Sequence, residues 1–200
     1  MCGIVGIFSH KEVAAELYDS VINLQHRGQD AAGIVTYDDR MHKEKGIGLA
    51  REIFTQEKME LLTGNIGIAH NRYPTHGGFS HGEVQPFWTS VPYGIALAHN
   101  GSLTNCKELA DKVTKTGTRY LNTNSDTEIL LNLLADKLHK QNGPQTSEQF
   151  FDLLCSAIGA MFNEVKGAYS VVATIIGKGL VVFRDPNGIR PLVKGERVND

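Results

Sequence analysis

Cysteine stands second in this chain, in the string Met1-Cys2-Gly3-Ile4-Val5-Gly6-Ile7-Phe8. Removal of Met1 leaves a thiol and a free α-amine on one residue. The thiolate is the reactive form of cysteine. An α-amine titrates near pH ~8, so part of it is neutral at working pH and able to accept the thiol proton. Nucleophile and base on one residue is the chemistry of N-terminal nucleophiles. The plain alternative is a small buried hydrophobe that opens a strand. Other polar groups gather where elements end: His26-Arg27-Gly28-Gln29-Asp30, His70-Asn71-Arg72-Tyr73-Pro74-Thr75-His76-Gly77, His99-Asn100-Gly101-Ser102 and Asn124-Ser125-Asp126. Loops held by rigid elements are where binding and catalysis concentrate. Taken singly, each string also reads as ordinary turn or cap chemistry: Asn-Gly is a turn dipeptide, and Asp126 opening a helix suits the helix dipole.

Metal and phosphate chemistry find little support. His70, His76 and His81 are spaced six and five apart, which matches no common zinc pattern, and no acidic pair stands beside them. Neither GxxxxGK[ST] nor GxGxxG occurs. Cys2, Cys106 and Cys155 are far apart and form no CxxC pair, so no disulfide framework is suggested, in keeping with a reducing cytosol. A net charge of −2 with scattered Lys and Arg gives no footprint for nucleic acid or an anionic membrane. The sequence shows no signal peptide and no apolar run of ~18 residues.

The elements that must position these groups follow from periodicity. With 41% hydrophobic residues, 200 residues can bury a proper core, and no repeat or linker divides them. Strands are expected at residues 3–8, 31–37, 42–46, 65–71, 87–89 and 94–99. A helix is expected over 11–25, where Val13, Leu17, Val21 and Leu24 recur at helical spacing, and another over 53–62. Residues 73–85, rich in Gly, His and Ser, read as a loop. Three helices follow near 106–115, 126–140 and 148–163. Their start signals are Asn105 with Glu108, Ser125 with Glu128, and Thr146 with Gln149. A hairpin across Gly177-Lys178-Gly179 joins strands at 168–176 and 180–184, and a short strand is expected at 190–193. Strands, helices, then strands again predict an α+β layered fold with antiparallel sheets. Cys106 and Cys155 read as core or spacer residues on helices.

Taken together, the start Cys2-Gly3-Ile4-Val5-Gly6-Ile7 and the strings Leu24-Gln25-His26-Arg27-Gly28-Gln29-Asp30-Ala31-Ala32-Gly33-Ile34, His70-Asn71-Arg72-Tyr73-Pro74-Thr75, Ala98-His99-Asn100-Gly101-Ser102-Leu103-Thr104-Asn105, Ser125-Asp126 and Phe183-Arg184-Asp185-Pro186-Asn187-Gly188-Ile189-Arg190-Pro191-Leu192 resemble class II glutamine amidotransferases. The likeness runs over essentially the whole chain. It is closest to the amidophosphoribosyltransferase (glutamine phosphoribosylpyrophosphate amidotransferase) branch, which carries out the first committed step of purine synthesis. The resemblance implies the N-terminal-nucleophile hydrolase fold, a four-layer αββα sandwich with two antiparallel sheets. It implies Cys2 as nucleophile and the Asn100 side chain and Gly101 N–H as oxyanion donors. Arg72 would take the α-carboxylate of L-glutamine and Asp126 its α-ammonium. Thr75, and His76 in a supporting role, would belong to a loop closing over the substrate, with Arg27 and Gly28 shaping the floor beneath Cys2.

It further implies that residues 1–200 are the glutaminase domain, cut short at its C-terminal end. The phosphoribosyltransferase domain, which takes ammonia to phosphoribosylpyrophosphate, is expected outside these residues. No metal or cofactor is expected in this span. Mg2+ belongs to the missing domain, and the iron–sulfur cluster of some members is left open. With Met1 alone ahead of Cys2, no propeptide is expected. A cytoplasmic enzyme, homo-oligomeric at full length, is implied. The rival readings are the glutaminase domain of another class II enzyme, such as glucosamine-6-phosphate synthase, and a glutamine-sensing module without catalysis.

Overall fold

The computed structural model describes residues 2–73, 81–115, 119–139 and 146–197. Its strands are β1 (Gly3–Phe8), β2 (Ala31–Tyr37), β3 (Met41–Ile47), β4 (Ile66–Arg72), β5 (Phe87–Thr89), β6 (Ile95–Leu103), β7 (Gly167–Ile175) and β8 (Gly179–Arg184). Its helices are α1 (Ala14–Leu24), α2 (Ala50–Ile53), α3 (Gln56–Glu60), α4 (Cys106–Lys115), α5 (Asp126–His139) and α6 (Ser147–Glu164). The strands form two antiparallel four-stranded sheets, ordered β1-β4-β2-β3 and β5-β6-β7-β8.

Alternation along the strands builds the layers, because successive side chains point to opposite faces. One face of the first sheet packs Ile34 and Ala69 against Leu17 and Val21 of α1. Its other face meets the second sheet through Val35, Ile68, Ala96, Ala98 and Val172. The outer face of the second sheet buries Leu97, Tyr169 and Val171 beneath Leu109, Leu130, Leu134 and Met161 of α4, α5 and α6. The order helix, sheet, sheet, helix is the four-layer sandwich that the resemblance implied.

Local departures have physical causes. The helix expected from residue 11 begins at Ala14, after Val13. The one expected over 53–62 is two short helices. Phe54 leaves helical geometry with its ring buried edge-on against Tyr18, and Thr55 restarts the turn from an extended conformation. The strand expected at 190–193 does not form. The Asp185 carboxylate accepts the backbone N–H groups of Tyr169, Asn187 and Ile189, which bends the chain there. The Ser170 hydroxyl, facing the carbonyls of Arg190 and Pro191, draws the segment in by side-chain contacts instead of a ladder.

Of the three capping boxes expected, the one at Thr146 and Gln149 is complete in both directions. Ser125 caps α5 through the Thr127 N–H, but Glu128 turns away and accepts four hydrogen bonds from Asn122 and Thr123. Asn105 bridges to the Glu164 carbonyl and the Lys166 N–H.

Candidate active site

Cys2 sits one residue ahead of β1, half-buried. The register Gly3↔Asn71 sets it beside the end of β4. There the Tyr73 N–H points at its sulfur, 3.5 Å away, and the Tyr73 carbonyl lies 3.7 Å from it. From beneath, Arg27 Nε donates to the Cys2 carbonyl at 3.1 Å. Gly28 lies so close to β4 that a Cβ would meet the Arg72 carbonyl at 2.6–2.7 Å, so the loop reaches the site only with glycine there. Arg27 and Gly28 thus contact the backbone at both sides of the sulfur, where the resemblance had put a floor.

Facing direction brings the next two groups in. On β1, Ile4 packs in the layer between the sheets, and a Cβ on Gly6 would enter it against Val172; Cys2 continues that alternation. On β4, Ile68 marks the same face, and Arg72 follows two pairs on. On β6, Ala96 and Ala98 lead to Asn100. Cys2, Arg72 and Asn100 therefore lie on strand faces that share the inter-sheet layer. Asn100 is 5% exposed, and among the described residues nothing takes up its side-chain amide. Beside it, Gly101 has φ +157°, and a Cβ there would be driven into the Ala168 carbonyl oxygen. Only glycine lets β6 and β7 approach so closely.

Asp126 comes from the other side of β6. His99 points outward to α5, its Nδ1 3.2 Å from Thr127 Oγ1 and 3.6 Å from Asp126 Oδ1. Burial holds the His99 ring below its ordinary pKa; Asp126 opposes that shift and Arg190 adds to it. The buried His70 is pushed down to about 3, first by burial and then by His99 and Arg72. Both rings are thereby neutral at neutral pH.

Arg72 has close company that no motif or periodicity pointed to. Its Nη1 donates to the Glu83 carbonyl at 2.6 Å and its Nη2 to Glu83 Oε2 at 2.5 Å. Two residues on, the buried Gln85 side chain accepts the His99 N–H at 2.7 Å. Neither Glu83 nor Gln85 stood out within a loop of irregular composition, because their partners lie 11 and 14 residues away with no periodic signal linking them. Thr75 and His76 fall within 74–80, outside the described residues. Cys155 is exposed on α6, a spacer. The half-buried Cys106 thiol is raised chiefly by burial.

Two other features lie apart from these residues. A cleft of about 420 Å³ is lined by Lys45, Trp88, Tyr120, Asn122 and Glu128, and by none of the residues to which the resemblance gave a role in catalysis or substrate binding. Among the described residues, the one group with metal-ligand spacing is Asp38, Asp39 and His42 at the β2–β3 turn. Of the histidines considered for a metal, His70 is fully buried on β4, and the side chains of His76 and His81 lie outside the description.

Residues 70–200 match the family described as "Glutamine amidotransferase domain". The chain belongs to that family. Its relatives include the amidophosphoribosyltransferases of Pseudomonas aeruginosa (50% identical over 198 residues, 98% of this chain and 39% of the relative), Escherichia coli (50% over 200 residues, 98% and 39%) and Saccharomyces cerevisiae (46% over 204 residues, 100% and 39%). The chain spans about two-fifths of the length of these curated relatives. Among solved structures, the glutamine phosphoribosylpyrophosphate amidotransferase of B. subtilis, complexed with ADP and GMP, superposes with a TM-score of 0.76 at 32% identity, covering 96% of this chain and 38% of that one. The fold is the N-terminal-nucleophile hydrolase sandwich of class II glutamine amidotransferases.

Proposed function

We propose that this chain hydrolyses L-glutamine to glutamate and ammonia at Cys2, as the glutaminase domain of an amidophosphoribosyltransferase. The observation that carries the reading is the strand alternation through Ile4, Ile68 and Ala98 of the inter-sheet layer, which continues to Cys2 ahead of β1, Arg72 of β4 and Asn100 of β6, with Asp126 reaching β6 from its other side through His99. Once Met1 is removed, the Cys2 α-amine takes the thiol proton. The sulfur attacks the side-chain carbonyl carbon, and the oxyanion is met by the Asn100 amide and the Gly101 N–H. Each such donor is worth about 10²–10³ in rate. The protonated amine then gives its proton to the leaving nitrogen, and ammonia departs. Water, deprotonated by the same amine, cleaves the thioester to glutamate.

Binding uses both charged ends of the amino acid. The Arg72 guanidinium suits a planar carboxylate, and Asp126 receives the ammonium. Thr75 and His76 belong to the segment that closes over the substrate and excludes water. Likeness to the amidophosphoribosyltransferases carries the next step: ammonia passes to phosphoribosylpyrophosphate, giving 5-phosphoribosylamine, at an Mg2+-dependent site that we place outside these 200 residues.

The test is glutamate release by folded wild-type, Cys2→Ala and Cys2→Ser proteins. The reading expects turnover in the wild type and none in Cys2→Ala. Hydrolysis surviving in Cys2→Ala overturns it.

A further inference from the structure

Three consecutive residues, Glu83, Val84 and Gln85, each hold a different strand. Glu83 grips Arg72 at the end of β4 through both its carbonyl and its carboxylate. The Val84 carbonyl accepts from Lys45 Nζ of β3 at 2.6 Å. The Gln85 side chain accepts from the His99 N–H of β6. The last bond has a clear origin: β5 pairs with β6 only over Ile95–Leu97, so beyond it a side chain takes over the ladder. Gly33 of β2 makes room, since a Cβ there would strike the Gln85 carbonyl oxygen. The segment is thus a brace across both sheets, and its first residue ends on the guanidinium assigned to the substrate.

We propose that Glu83 is a positioning residue that sets the affinity for the α-carboxylate of the substrate by fixing the orientation of Arg72. The inference rests on the glutaminase reading above. A guanidinium has five N–H donors in a rigid plane. Anchoring two of its nitrogens on one residue fixes that plane before a carboxylate arrives, and preorganisation of this kind lowers the cost of binding. The Arg72 and Glu83 side chains are 14% and 20% exposed, so the pair is little screened by water. Glu83 touches no reacting atom, so it acts through Arg72. The opposite role, a carboxylate that fills the substrate's seat and must be displaced, predicts the reverse sign.

The experiment measures protection of Cys2 from iodoacetamide in the intact protein, read as alkylation of the N-terminal peptide by mass spectrometry. Two protectants are compared: L-glutamine, and 4-aminobutanamide, which keeps the amide and the amine but lacks the α-carboxylate. Glu83→Ala is expected to raise the half-protecting concentration of glutamine about tenfold or more, in line with loss of a charged hydrogen-bond partner. Glu83→Gln, which keeps an acceptor, is expected to raise it about threefold. Neither is expected to move the value for 4-aminobutanamide more than about twofold. If Glu83→Ala does not fold, the ratio of the two protectants in Glu83→Gln decides, a threefold change supporting the proposal and an unchanged ratio overturning it. Equal weakening toward both protectants marks a merely structural residue, and tighter glutamine binding marks a displaced plug; either overturns it. If glutamine does not protect wild-type Cys2 at all, the glutaminase reading itself falls.

Discussion

At the scale of single residues, Asn100 and Gly101 do different work that two substitutions separate. On the proposed mechanism, Asn100→Ala removes an oxyanion donor without a steric demand. It is expected to lower kcat for glutamine hydrolysis about 10²–10³-fold while KM moves little, as measured by steady-state glutamate release; a comparable rise in KM with kcat intact would place Asn100 in ground-state binding. Gly101→Ala instead pushes a methyl group into the Ala168 carbonyl oxygen. It is expected to cost about 1–3 kcal/mol in chemical unfolding and to lower activity as well. The sequence was informative here where a residue type is itself the chemistry. Cys2 stood out by its type and position, whereas Arg72, Asn100, Gly101 and Asp126, each open to an ordinary turn or cap reading, stood out through the motifs that carry the resemblance. Glu83 did not, because an isolated carboxylate in a loop looks the same whether it faces solvent or a guanidinium.

At the scale of elements, hydrophobic periodicity located the strands and the long helices, and failed where tertiary contacts overrode it. Residues 53–62 have helical spacing, yet burial of Phe54 against Tyr18 breaks the run. Residues 190–193 have strand composition, yet Ser170 and Asp185 hold the chain by side chains. Capping signals were legible as types, not as partners. Thr146 does cap α6, and Thr146→Ala is expected to cost about 1 kcal/mol. Glu128, read as the closing member of a capping box, is instead the buried acceptor for the 122–123 loop, with 4% of its surface exposed. Glu128→Ala is therefore expected to cost about 2–3 kcal/mol, more than Thr146→Ala. Denaturant midpoints of the two variants check that order, and the reverse order would return Glu128 to an ordinary helix start.

At the scale of the whole molecule, the layered packing buries two neutral histidines beside the groups assigned to the substrate, His70 on the inter-sheet face of β4 and His99 beneath α5. The layered α+β architecture was legible from the order of elements, but the inward turn of His70 was not, because only the pairing of β4 with β1 and β2 fixes which face enters the inter-sheet layer. A pH dependence follows. Unfolded histidine takes a proton near pH ~6.5, whereas burial holds His70 down to about 3 and His99 below its ordinary value. Below pH ~6.5 the unfolded chain binds protons that the folded chain refuses, so stability falls as pH drops and is full above that point. Unfolding by urea at pH 7 and pH 5 is expected to show the loss, and His70→Asn to reduce it. Equal stability of the wild type at both values would contradict the buried neutral state.

The central claim is that an N-terminal sulfur at the end of β1 carries the reaction. The most direct measurement is intact-protein and peptide mass spectrometry of a reaction with glutamine quenched rapidly in acid. The account predicts loss of Met1 and a transient γ-glutamyl adduct on the peptide that begins at Cys2. Turnover with Met1 retained, or with the adduct on any other residue, would contradict it.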